Sequence, residues 1–169
     1  MSSHTQPQLT TPVALTEEAF AHFGQVIDIR NLVPQVINDG SAQRFDTAVS
    51  VDPGGGSAAI SVFVGQPHHY PVRVATMERH PLGSQTFMPL DRRPYLVVVA
   101  TNGPEGLPMA PRVFIASGEQ GVSYPAGLWH HPLLALEEDS RFLVIDRQGP
   151  GNNLELADYP DAWEIVGPD

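Results

Sequence analysis

The stretch TMERHPLGSQTFMPL, residues 76–90, decides how the chain is read. Side chains of a strand alternate between its two faces. Glu78 and His80 therefore share one face, and Met77 and Arg79 share the other. A Pro-Leu-Gly-Ser break follows, and a second strand then puts Gln85 on the same face as Phe87. A carboxylate, an imidazole and an amide presented this way either coat a wet surface or look into a pocket. In either case Arg79 is expected to point away from Glu78 and His80.

The rest of the chain supplies more strands of the same kind. QRFDTAVSVD, AISVFVGQP, RVATMERHP, QTFMPL, PYLVVVATN, PRVFIASG, GVSYPAG, WHHPLLALE and SRFLVIDR all read as extended, half-buried or buried segments. Seventeen Pro and fifteen Gly punctuate them. Short strands at roughly ten-residue spacing favour an antiparallel sandwich or barrel. One helix is expected in ALTEEAFAHFG, with Thr16 as N-cap, Glu17 and Glu18 in the first turn and Gly24 as the stop. A second helical turn is expected in NLELADYPDAW. The fold class is thus all-β with a short N-terminal helix. Residues 1–12 read as a flexible arm and residues 13–169 as a single domain, since no linker, charge block or repeat marks a second one.

Composition excludes several function classes. The 169 residues carry nine basic and nineteen acidic side chains, a formal net charge of −10. Phosphate binding needs a cationic face, so nucleic acid is not an expected partner. No segment approaches the roughly 18 apolar residues of a membrane span, and the N-terminus has no basic start followed by an apolar core. Cysteine is absent. That removes disulfides, thiolate nucleophiles and zinc–cysteine sites, and it fits a cytoplasmic protein.

The motif E-x-H-x4-Q of the opening stretch is followed further along by P-x-G-x-x-H, formed by Pro125, Gly127 and His130. This pair resembles the two-part signature of the cupin superfamily, in which three histidines and a glutamate meet inside a small β-barrel and hold a divalent metal. Glu78 stands in place of the first histidine, His80 in place of the second, Gln85 in place of the glutamate and His130 in place of the last ligand. Glu, His, Gln and His still offer O and N donors suited to a borderline or hard ion. A narrower resemblance covers most of the chain. PVALTEEAFAHFGQVID, ERHPLGSQTFMPL, FIASGEQGVSYPAGLWHHPLL and FLVIDRQGPGNN are together similar to the ureidoglycolate lyase family.

That resemblance implies a cupin-type double-stranded β-barrel (a jelly roll), a homodimer, and a divalent metal, nickel. It also implies release of urea from (S)-ureidoglycolate, leaving glyoxylate, in purine breakdown. Glu78, His80 and His130 become the catalytic candidates, and with Gln85 the metal-ligand candidates. The substrate carbon carries a hydroxyl, a carboxylate and a urea nitrogen. Elimination needs a base for the hydroxyl proton and an acid for the leaving nitrogen. Glu78 is open to a ligand or a base role, and Gln85 to a ligand role or a hydrogen bond to substrate. An arginine matches a carboxylate with two donors, and Arg44, Arg112 and Arg147 are the candidates. Two rival readings are an amidohydrolase releasing ammonia from the same substrate and a cupin that only binds a small ligand.

Each residue also has an ordinary explanation. A lone Glu-x-His on a strand is usually a solvated face, and Gln85 by itself is a residue that satisfies backbone groups. Trp129 is expected to pack, and His131 to sit beside the site rather than in it. His68 and His69, flanked by prolines, read as loop.

Overall fold

The computed structural model describes residues 6–168, so the first five residues of the expected arm and the last residue of the chain lie outside it. In chain order the elements are β1 (Gln8–Thr10), β2 (Val13–Ala14), α1 (Glu17–Phe20), β3 (Gln25–Ile27), β4 (Gln35–Ile37), β5 (Ala42–Arg44), β6 (Ser57–Gly65) and β7 (Val72–Arg79). There follow β8 (Gln85–Pro89), β9 (Arg92–Ala100), β10 (Arg112–Gly118), β11 (Gly121–Tyr124), β12 (Trp129–His130), β13 (Leu134–Ala135), β14 (Ser140–Gln148) and β15 (Glu155–Ile165).

These strands build the all-β architecture expected of a cupin. An eight-stranded sheet runs β1-β15-β7-β12-β9-β10-β2, with β13 also beside β9. A five-stranded sheet runs β3-β11-β8-β14-β6, and β4 pairs with β5 alone. The alternation of each strand explains the core. Val97 and Val99 of β9, Phe114 of β10, Val122 and Tyr124 of β11, Phe87 of β8 and Phe142 and Val144 of β14 point between the two sheets and form one cluster. The opposite residues of the large sheet, Val74, Met77, Val98, Val113 and Trp129 among them, form a second cluster, against which Tyr159 and Trp163 of β15 pack.

Helix α1 starts where the sequence places it. Thr16 Oγ1 accepts the Ala19 N–H at 3.1 Å, and Phe20 is fully buried. It is shorter than expected because the chain must turn at once into β3. At Gly24 a Cβ would lie 2.3 Å from Ser123 O, so only glycine allows the turn to press against β11.

Three expectations need correction. NLELADYPDAW is no helical turn: residues from Glu155 onward form β15, antiparallel to β7. Its residues alternate in exposure, and Arg79 lies opposite Glu155 and pairs with it. Pro160, which would weaken a helix interior as much as a ladder, sits in the register shift between Asp158 and Trp163. Most of QRFDTAVSVD is irregular rather than a strand. Only Gln43 and Arg44 of it pair, as the end of β5 beside β4, and Asp46 then accepts the Ala48 N–H and turns the chain, with Ala48 in the left-handed region. Near the start of the described chain, Gln8–Thr10 pair in parallel with Trp163–Ile165. WHHPLLALE also divides in two. Pro132, which has no N–H to give, lies between β12 and β13, and the break reverses the parity, so that Trp129 and Leu134 join one core while Ala135 joins the other.

Candidate active site

The ladder brings the two halves of the signature together. β12 lies between β7 and β9, with His130 directly opposite Glu78. Directly opposed residues share a face, so the carboxylate and the imidazole point the same way. His80 lies one residue past the end of β7. Its main-chain oxygen accepts the Gly127 N–H at 2.8 Å, which ties it to the turn that leads into β12. Gly127 has φ +81°, a left-handed conformation that glycine takes without strain. This gives the glycine of P-x-G-x-x-H its physical reason.

Glu78 Oε1 is 3.4 Å from His130 Nε2 and 3.9 Å from His80 Nε2. The ring centroids of the two histidines are 5.1 Å apart. One donor atom from each of the three residues falls within 4.8 Å of the others. His130 is buried, with 2% of its side chain exposed, while Glu78 and His80 keep 20% and 18%. The cluster therefore has a dry floor and a side reachable from solvent.

The hydrogen bonds assign the tautomers. His80 Nδ1 faces Asn153 O at 2.7 Å, and His130 Nδ1 faces Leu128 O at 2.9 Å. A carbonyl only accepts, so each Nδ1 carries the hydrogen and each Nε2 is left with its lone pair. Both Nε2 atoms are buried and without a hydrogen-bond partner, as is Gln85 Oε1. Burial pushes the Glu78 carboxyl up, while a proton on the imidazoles beside it, His130 foremost, outweighs that and holds it below the usual range. With both Nε2 atoms bare, acceptors converge with nothing between them to donate. Such a set calls for a proton or a cation, and two imidazole nitrogens with a carboxylate oxygen suit a borderline divalent ion. Each imidazole already has its Nδ1–H on a carbonyl, as ligating histidines do.

Gln85 is buried at the start of β8, opposite Tyr124 of β11. The Tyr124 ring lies 4.6 Å from that of His130, tilted by 30°. Tyr124 is a neighbour of the site that sequence reasoning missed. Burial and the Glu78 carboxylate raise its hydroxyl far above the ordinary tyrosine value, so it stays neutral. Arg79 points to the other face, as its parity requires. Its guanidinium sits 4.4 Å over Trp129 and bonds Glu155, Asn102 and Gly106 O. Trp129 is core.

The three candidate arginines differ in placement. Arg44 is exposed, 3.9 Å from Asp46. Arg147 bonds Gly54 O and Pro150 O and so braces the loops around it. Arg112 is exposed at the start of β10, but its register is informative. His130 lies opposite both Glu78 and Val99, and Val99 lies opposite Arg112. Glu78, His130, Val99 and Arg112 form one row across four adjacent strands. A groove of about 560 Å³ lies elsewhere, between Ile27, Arg30, Phe45, Met88 and Leu90, and the cluster is not part of its lining.

Comparison with known proteins gives the family. The family model described as ureidoglycolate lyase matches residues 7–166. The chain belongs to the ureidoglycolate lyase family. It is 50% identical over 156 residues to ureidoglycolate lyase 1 of Rhizobium meliloti (strain 1021), covering 91% of each chain. It is 47% identical over 158 residues to ureidoglycolate lyase of Brucella melitensis biotype 2, covering 92% of this chain and 93% of that one. It is 49% identical over 156 residues to the ureidoglycolate lyase of Rhizobium etli (strain CIAT 652), covering 91% and 93%. The stretch matched to the ureidoglycolate lyase family runs from β1 to the end of β15 and takes in Glu78, His80, Gln85 and His130.

Proposed function

We propose that this chain is a ureidoglycolate lyase that eliminates urea from (S)-ureidoglycolate, leaves glyoxylate and serves allantoin breakdown, with Glu78, His80 and His130 as its working cluster. The observation that carries the reading is the convergence of one carboxylate and two bare Nε2 atoms inside a barrel of the ureidoglycolate lyase family.

In the elimination, the hydroxyl O–H breaks, its electrons form the carbonyl of glyoxylate, the C–N bond breaks, and the nitrogen takes the proton that Glu78 has received from the hydroxyl and leaves as urea. Glu78, held as carboxylate, accepts the hydroxyl proton. His130, 3.4 Å away, offers its bare Nε2 beside that carboxylate. Gln85 and Tyr124, neutral and side by side across the ladder, offer an amide and a hydroxyl to the urea end. Arg112, in the same row as Glu78 and His130, holds the substrate carboxylate with its fork. A divalent ion, nickel as the family resemblance implies, held by Glu78, His80 and His130 with Gln85 beside it, would supply Lewis acidity that polarises the substrate oxygens.

The working unit in this reading is a homodimer in the cytoplasm. Support for the dimer comes from the outer face of the five-stranded sheet. Ile60, Val62 and Val64 of the edge strand β6 are 71%, 56% and 56% exposed. Val62 aligns with Leu143 and Met88, and Ile60 with Ile145, so the exposed residues form an apolar face rather than scattered points. On a chain of charge −10, a second copy meets little repulsion on such a face, which carries no carboxylate in these rows and has Arg141 opposite Val64.

The test of the activity is product identity. Ureidoglycolate is given to the purified chain with and without a chelator, the spontaneous breakdown is subtracted, and urea, glyoxylate and ammonia are measured. Equal urea and glyoxylate, lost with chelator, is the expected result. Ammonia in place of urea would make it a hydrolase, and no product above background would leave a ligand-binding barrel.

A further inference from the structure

The loop after β14, GPGNNL (residues 149–154), has no regular structure and two glycines. Yet its Asn153 touches the opening motif twice. Its main-chain oxygen accepts the His80 Nδ1–H at 2.7 Å. Its side-chain Oδ1 accepts the Leu82 N–H at 2.8 Å. Both bonds are part-buried, and both span more than seventy residues of chain. Leu82 lies in the turn that separates His80 from Gln85. Asn153 therefore fixes the two halves of E-x-H-x4-Q to one another from outside them.

We propose that Asn153 is a positioning residue that sets the tautomer and ring orientation of His80. The carbonyl accepts only from N–H, so it selects the form with hydrogen on Nδ1 and turns the bare Nε2 toward Glu78 at 3.9 Å. The backbone carbonyl is present in any residue. What the asparagine adds is the side-chain acceptor that anchors the loop to Leu82 and so delivers the carbonyl to His80. The rest of the loop is held by bonds that do not reach the cluster: Arg147 Nη2 donates to Pro150 O at 2.8 Å, and Leu154 N–H donates to Asn152 Oδ1 at 3.3 Å. The proposal rests on His80 being a working residue of the cluster, but its first readout needs neither metal nor substrate.

The experiment compares the apo chain with Asn153→Ala, Asn153→Asp and Asn152→Ala. Long-range 1H–15N NMR, at a pH where the imidazoles are neutral, reports which ring nitrogen of each histidine carries hydrogen. Calorimetry with Ni2+ alone then reports affinity. The expected result is a mixed tautomer at His80 in Asn153→Ala with His130 unchanged, and a 10- to 100-fold loss of Ni2+ affinity, the size usual for outer partners of ligating histidines. Asn153→Asp keeps an acceptor and restores the Nδ1–H form. Asn152→Ala, which loosens the same loop without touching His80, leaves it unchanged. An unchanged His80 tautomer in Asn153→Ala would overturn the proposal. So would equal changes at His80 and His130, or the same effect from Asn152→Ala, since each would mark a general loosening. Loss of the tautomer preference with no Ni2+ binding by the parent chain would uphold the positioning role and sink the metal reading alone.

Discussion

Two imidazoles whose Nδ1–H groups are both engaged by main-chain carbonyls can offer only Nε2 to whatever enters the barrel. That fact, with Glu78 beside them, gives the cluster its direction. It also bears on the arginine. Arg112→Ala removes a charge-assisted pair to the substrate carboxylate and is expected to lower kcat/KM about tenfold or more, chiefly through KM. The same substitutions at Arg44 and Arg147 are expected to leave KM unchanged, and steady-state kinetics on the three variants checks this. Away from the site, Asp28 is held down to about 2 by hydrogen bonds from the Arg30 side chain, against burial, with help from the Arg30 backbone and Gln120. A depressed carboxylate stabilises the fold above its unfolded value and ceases to do so as pH falls through its folded one. Asp28→Asn is thus expected to cost about 1 kcal/mol near neutrality, a figure reduced for the solvent around Arg30. The gap to the parent should close between about pH 4 and 2. Denaturant melts across that range measure it.

At the scale of elements, strand alternation did most of the work. Period two along β7 put Glu78 and His80 together and Arg79 apart, and the structure agrees because a pleated strand has no other choice. The capped start of α1 was equally legible, since Thr16 and the two glutamates act locally. What stayed hidden acts at a distance. Asn153 serves His80 mainly through a carbonyl, which no side-chain type announces. Tyr124 looks like any core aromatic until the ladder sets it against His130. β15 was misread because its apolar residues are mixed with Glu155, Asp158 and Asp161 and a proline, and only pairing with β7 decides its form. Among the joins between elements, Gly24, where α1 turns into β3, is tightly constrained by β11. Gly24→Ala would push a methyl against Ser123 O and is expected to destabilise the fold by about 1–3 kcal/mol, read as a lowered midpoint in urea with an unchanged slope. A midpoint equal to that of the parent would show that β11 yields there.

For the whole molecule, two sheets enclose the core and one of them leaves an apolar face outside. A second copy placed on that face would hide Ile60, Val62 and Val64 from water. The chain is expected to run as a dimer by light scattering at micromolar concentration, and Val62→Asp, which sets like charges across a two-fold contact, to run as a monomer. A monomeric parent chain would refute this. Release of urea rests on Glu78, His80 and His130 in this reading. Its most direct measurement is urea and glyoxylate formed from ureidoglycolate by the parent chain and by the His80→Ala, His130→Ala double variant, each corrected for spontaneous breakdown. Equal amounts of the two products are expected from the parent and none above background from the variant. Urea and glyoxylate released by the variant at the rate of the parent would contradict it.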